Sequence, residues 1–134
     1  MAEAIAAHIG SDVMEVSSAG LAALGCVQSL TKLTLAKNGY PAHGLQSKSL
    51  EAGDLEAADT IVNMTGRPDS ALFHDPAKVE HWNVEDPYGA SAETYQRVFE
   101  DIEGRVVLLI DGVRESITSE FTARKARDKG AGQR

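Results

Sequence analysis

Cysteine is nearly absent from this chain of 134 residues, which contains only Cys26. One thiol cannot form a disulfide within a single chain, so the sequence predicts a cytoplasmic protein and argues against a disulfide-stapled secreted domain. No apolar run approaches the length that a membrane-spanning helix needs, so we expect no membrane insertion. The first ten residues lack a basic region ahead of an apolar stretch and do not resemble a signal peptide.

The chain has fewer basic than acidic residues, 13 Lys and Arg against 20 Asp and Glu, and its net charge is −7. Nucleic-acid binding depends on a concentrated basic surface that neutralises phosphates, so nucleic acid is not an expected partner. The basic cluster that does exist lies near the C-terminus, and we interpret residues 118–134 as a solvated, frayed basic tail. The four histidines show no zinc-ligand spacing, so neither a metal nor a cofactor is expected.

The apolar pattern predicts alternating helices and strands within one domain, residues 1–134. Helices are predicted at 2–9, 29–37, 49–58 and 71–73, and strands at 13–18, 59–64 and 79–82. A long amphipathic helix begins at Ser91 and carries apolar residues in steps of three and four up to Phe121, with a break near Gly112. Such alternation is typical of an α/β fold with three αβα layers around a parallel sheet.

Five short blocks, in order along the chain, carry a family resemblance. They are Met1–Ala4, Ser17–Gly20, Ser47–Leu50, Ala58–Thr65 and His81–Gly89. Together with the closing helix they resemble the low-molecular-weight protein tyrosine phosphatases and the related thioredoxin-type arsenate reductases. The resemblance implies a flavodoxin-like sheet and cysteine-dependent hydrolysis of a phosphorylated protein or a small phosphomonoester.

The chain departs from this family at its central motif, because it contains no Cys-x5-Arg. In the family, that loop follows the first strand, cradles the phosphate with backbone N–H groups and supplies the attacking thiolate. We therefore expect the sheet to lack its first strand and the chain as given to be inert. We also expect a longer form to carry the strand and loop upstream, with Met1 an internal methionine taken as the start.

Cys26 is separated from Lys32 by five residues, which superficially matches the missing motif. The intervening residues 27–31 contain no glycine to bring the backbone close to a phosphate, and no strand leads directly into them. Lys also lacks the planar fork with which arginine grips two phosphate oxygens. An ordinary loop or helix-start cysteine is the better interpretation.

Asp86 is the best candidate for chemistry that remains in the chain. By resemblance it is the general acid that protonates the leaving oxygen, and Pro87 would hold it in an extended conformation. The dipeptide alone indicates a turn, but its place between Trp82 and the long helix favours an acid loop. Tyr88 would flank an aromatic substrate, although a packing role fits it equally well.

Two further hypotheses stay open at this point: a phosphatase-like module that binds without catalysis, and an arsenate-reductase-like protein, which one cysteine disfavours. The missing first strand would lie between the strands at 13–18 and 60–64 and leave two open edges. Those edges would pair directly or be covered by a second copy of the chain, and a homodimer is slightly favoured.

Overall fold

A computed structural model describes residues 1–21 and 25–131. The helices are α1 (Ala2–Ile9), α2 (Ser29–Lys37), α3 (Ala52–Ala57), α4 (Asp69–Leu72) and α5 (Ala92–Ala131), and the strands are β1 (Ile61–Asn63) and β2 (Val79–His81). A 3₁₀ turn at Pro76–Lys78 leads into β2. The predicted helices at 2–9 and 29–37 are confirmed with the same bounds.

Helix α5 supplies most of the buried side chains of the core. Ser91 caps it as predicted, since its Oγ accepts a hydrogen bond from the Thr94 amide at 3.3 Å. Its buried face supplies six core side chains: Tyr95, Val98, Phe99, Ile102, Val106 and Ile110. The helix passes through Gly112 without interruption, so the predicted break is wrong; a helical glycine costs only about 1 kcal/mol. It also continues to Ala131, so most of the expected frayed tail is helical.

Helices α1 and α2 both pack on α5. Ile5 of α1 and Leu35 of α2 are completely buried, and Phe99 lies in the same apolar cluster. At the far end of α1, the Arg114 guanidinium donates to Asp12 at 2.9 Å and to the Ile9 carbonyl at 3.4 Å. These contacts fix the direction of α1 along α5.

Tyr40 joins the segment after α2 to the same helix. Its ring packs at a tilt on Phe99, 5.6 Å between centroids, and its hydroxyl donates to Glu103 Oε2 at 2.6 Å. Burial, helped by the Glu103 carboxylate, raises the pKa of Tyr40 to about 12. The phenol therefore remains a protonated donor at neutral pH, and this interaction weakens only as the pH rises above about 10.

Strands β1 and β2 pair in parallel, with Ile61 opposite Val79 and Asn63 opposite His81. One further bond, from the Trp82 amide to the Asn63 carbonyl at 2.9 Å, extends the ladder by a residue. The strands predicted at 59–64 and 79–82 are thus confirmed in shortened form. Parallel pairing requires a crossover, and α4 with the 3₁₀ turn supplies it.

The predicted strand at 13–18 is wrong. Val13, Met14 and Val16 pack against the core, but the segment joins no ladder, and a single bridge pairs Gly20 with Ser49. In the part of the chain that the structure describes, neither direct pairing of this segment with β1 nor a strand between them is present. Its side chains are used in packing while its backbone lacks a neighbouring strand.

Two helix boundaries also differ from expectation. Helix α3 begins after Glu51 rather than Ser49, because Glu51 and Asp54 form a reciprocal capping box. The helix predicted at 71–73 lies at Asp69–Leu72 instead. Among the described residues, no helix combines the length and the apolar character needed to cross a membrane.

Candidate active site

The carboxyl ends of β1 and β2 lie at one edge of the sheet, because the strands are parallel and Asn63 is opposite His81. Two loops leave this edge, residues 64–68 after β1 and residues 82–91 after β2. In α/β proteins, ligands bind at the carboxyl ends of parallel strands. The predicted acid loop therefore lies where this architecture places its sites.

The acid loop, residues 82–91, is anchored to the body from both sides. Trp82 is only 4% exposed, and its indole N–H donates to Glu80 at 3.0 Å. From α5, Arg105 donates to the Asn83 carbonyl at 3.2 Å and Arg97 forms a 2.9 Å ion pair with Glu85. The exposed ion pair adds little stability, but the buried indole fixes the start of the loop.

The tip of the acid loop is a tight turn with an exposed carboxylate. Asp86 Oδ1 accepts from the Tyr88 amide at 3.0 Å, and the Ala90 amide donates to the Pro87 carbonyl at 2.8 Å. Gly89 completes the turn at a φ of 75°, a conformation that glycine adopts without strain. The predicted turn is present, and its bond orients Asp86 while leaving this residue exposed; the general-acid role stays a prediction.

The other two predicted site residues, Pro87 and Tyr88, directly follow Asp86 in the chain. Pro87 is half-buried and stiffens the turn, whereas the Tyr88 side chain is 63% exposed. An exposed ring beside an exposed carboxylate does not serve the core. Tyr88 therefore contributes little to packing, and its contact with a substrate stays a prediction.

Sequence reasoning missed the polar centre of the neighbouring loop. Asn63 is 1% exposed and uses its whole amide: Nδ2 donates to the Arg67 carbonyl at 2.9 Å and to Asp69 at 2.7 Å. Its Oδ1 accepts from the amide and the hydroxyl of Thr65, at 3.0 and 2.7 Å. His81 Nδ1 lies 3.4 Å from the same Asp69 oxygen. A lone polar residue ending an apolar strand was the available signal.

Replacing Asn63 with Ala should lower the free energy of unfolding by about 1–3 kcal/mol, because Asp69 and the backbone of residues 65–67 lose their buried partner. Urea unfolding monitored by Trp82 fluorescence measures the change. Asn83→Ala is the matched control, since Asn83 is exposed and contributes only its backbone carbonyl to the contacts described. Equal losses in the two variants would contradict a structural role for the Asn63 amide.

Cys26 lies exposed in the loop ahead of α2, and Lys32 belongs to the first turn of that helix. The amide of Gly25 donates to Ser47 Oγ at 3.3 Å, so this amide is already engaged. Nothing here resembles a phosphate cradle, although residues 22–24 lie outside the described part. Within the described residues, no group of three or more His, Cys, Asp or Glu side chains could hold a metal ion.

Comparison with solved structures defines the class. The chain is similar to a low molecular weight protein tyrosine phosphatase from T. tengcongensis, with 26% identity, a TM-score of 0.74, and coverage of 83% of this chain and 88% of that one. It is similar to an arsenate reductase in the reduced state at 25% identity, a TM-score of 0.70 and coverage of 83% and 86%.

The YwlE arginine phosphatase from Geobacillus stearothermophilus shares the fold, with a TM-score of 0.75 at 19% identity, over 88% of this chain and 86% of that one. The sequence comparison with curated proteins found no match to this chain. The predicted three-layer, flavodoxin-like α/β fold is therefore confirmed as that of the small phosphatases and arsenate reductases.

The family can be stated more narrowly. The sequence model of one protein family, the low molecular weight phosphotyrosine protein phosphatases, matches residues 1–120, almost the whole chain. This chain belongs to that family, and the resemblance seen in the five sequence blocks is confirmed.

Proposed function

We propose that this chain is the acid-loop-bearing part of a cytoplasmic cysteine-dependent phosphatase that hydrolyses phosphomonoesters, of a phosphorylated protein or a small molecule. In this proposal the phosphate-binding loop is supplied by a longer form, and the chain as given has no phosphatase activity. Asp86 is the general acid, and Pro87 and Tyr88 contact the substrate. The observation that carries the proposal is the exposed Asp86 carboxylate, held by the Tyr88 amide in an anchored loop.

The direction of α1 supports this assignment. Its last residues contact α5 at Ile110 and Arg114, while its buried residues Ala4–Ala6 share a core with residues 98–110 of α5. The two ends of α1 are thus held differently, the last turn by Arg114 and the first half by the shared core. In the proposal, a phosphate-binding loop leading into this anchored helix faces Asp86, because the nucleophile and the general acid must lie on opposite sides of one phosphorus.

In the proposed reaction, a phosphocysteine forms in a first step and is hydrolysed in a second. The thiolate of the supplied loop would attack phosphorus while Asp86 gives its proton to the departing oxygen. Water would next attack the phosphocysteine, with the Asp86 carboxylate accepting the proton. A reductase reading is weaker, because transfer of a disulfide between protein thiols needs more cysteines than this chain contains.

The test compares two proteins. The chain as given should show no hydrolysis of p-nitrophenyl phosphate above background, because it has no nucleophile held in an oxyanion cradle. A chain extended ahead of Met1 with the first strand and Cys-x5-Arg loop of a related phosphatase should gain activity that a Cys→Ser change in the added loop abolishes.

Cys26 serves as the internal control. Turnover by the unextended chain that disappears in Cys26→Ser would show that this exposed thiol is the nucleophile, and would overturn the assignment. A folded but inactive extended chain would instead favour a module that binds phosphorylated ligands without hydrolysing them.

A further inference from the structure

The second half of α5 leaves the body of the protein and keeps its apolar stripe. Ile117 and Phe121 continue the spacing of the buried residues, yet they are 47% and 59% exposed. Residues 115–131 extend about 25 Å at 1.5 Å per residue. An isolated helix of this length is only marginally stable in water. We therefore expect a binding partner to cover the exposed apolar face of residues 115–131.

Where this half of α5 leaves the body, it forms one wall of a shallow groove against the start of β1. We call this feature the α5 groove. Thr60 lines it from the β1 side, and α5 supplies mostly apolar residues: Leu108, Leu109, Gly112, Val113, Ser116 and Ile117. Its rim is acidic, with Asp59, Glu80 and Glu120. The end of the same helix is basic, with Arg124, Lys125 and Arg127, and Lys125 lies over the Phe121 ring at 5.1 Å. One helix therefore carries an acid-rimmed apolar groove and, one to two turns further on, a basic apolar tip.

We propose that the occupant is a second copy of this chain, with two α5 helices packed antiparallel about a two-fold axis near Ser119. In that register Ile117 of each copy faces Phe121 of the other, and the basic tip lies along the acidic rim of the partner's groove. Both halves of the contact are then identical, as a closed two-fold interface requires. The proposal is independent of the phosphatase assignment, because the α5 groove contains no residue of the acid loop.

Gly112 makes close approach feasible. A side chain added there would meet nothing within 4 Å in one copy, so the position is open towards the groove. Small residues allow two helix backbones to approach closely. Charge pairing at the rim then selects the antiparallel over the parallel arrangement, because a parallel pair would bring the two basic tips together.

Sedimentation velocity across a wide range of concentrations is the primary measurement, and it should reveal a reversible dimer. Arg124→Glu combined with Arg127→Glu should raise the dimer dissociation constant about tenfold or more, and Asp59→Lys should do the same. Combining all three changes should recover most of the affinity. Glu56→Lys, the same charge change on exposed α3 outside the groove, should leave dimerisation unchanged.

A glycine pair separates blocking from helix stability. Gly112→Gln fills the groove, whereas Gly104→Gln places the same side chain about two turns earlier on α5, at an exposed position outside the groove. Both raise helix propensity, so only Gly112→Gln should weaken the dimer. A chain that stays monomeric at every concentration would overturn the proposal and leave the groove to another partner. So would equal effects of the two glutamines, or charge changes that fail to compensate.

Discussion

Replacing Asp86 with Asn in the extended, loop-bearing chain should lower kcat by about a hundredfold to ten-thousandfold for alkyl phosphates. This is the usual contribution of a positioned general acid, and the amide keeps the size and the turn of the native side chain while having no proton to give. For p-nitrophenyl phosphate, whose leaving group needs little protonation, the loss should be much smaller. Initial rates over a series of leaving groups measure the difference.

The chain provides a matched control in a second Asp-Pro turn. Asp75 Oδ1 accepts from the Ala77 amide at 3.1 Å, nearly the same bond that Asp86 makes with Tyr88 at 3.0 Å. Asp75→Asn therefore introduces the same chemical change in the same turn, away from the acid loop, and should leave kcat unchanged. A loss for Asp86→Asn that is constant across leaving groups would identify a structural rather than a catalytic role.

Phe99→Ala should lower the free energy of unfolding by about 3–5 kcal/mol, the largest single-residue effect on stability that we expect. Phe99 is 1% exposed and packs in the cluster shared by α1, α2 and α5, and the tilted ring of Tyr40 packs against its ring. Truncation removes the ring's burial and leaves a cavity between three helices that cannot all move inward. Urea unfolding at low protein concentration, where any dimer is dissociated, measures it.

Leu33→Ala is the comparison for this variant. Leu33 lies in α2 but is 63% exposed, so its truncation should change stability by no more than about 0.5 kcal/mol. If the two substitutions cost similar amounts, the core is not organised around Phe99 as described.

Elements that rest on local signals were predictable from the sequence. Helix α1 and the beginning of α5 have periodic apolar faces, and the glycine after α1 and the asparagine after α2 mark the ends of those helices. The turn at Asp86-Pro87 was predictable as well, because Asp-Pro is a local turn signal. What failed depended on partners elsewhere in the chain: residues 13–18 have strand-like composition, but a strand exists only where a neighbour pairs with it.

The candidate site also combines residues with a local sequence signal and residues whose contacts depend on the folded loops. The sequence context of Asp86 predicts a general acid, and this stays a prediction. The four bonds of Asn63, in contrast, join residues that only the loop geometry brings together. The local sequence also did not predict that α5 continues as a helix past Gly112 to Ala131. Charge clusters near a terminus are common in frayed segments, and the sequence alone does not distinguish such a segment from an exposed helix.

The dependence of the core on α5 has a consequence for folding during synthesis. Helices α1 and α2 bury their apolar faces against a helix that begins only at Ala92, and the bond from Arg114 to Ile9 spans 105 residues of chain. Such long closures are costly in entropy and slow to form. A ribosome must therefore have released most of the polypeptide before the first helix finds its partner, and until then Ile5 and Leu35 remain exposed to chaperones and proteases.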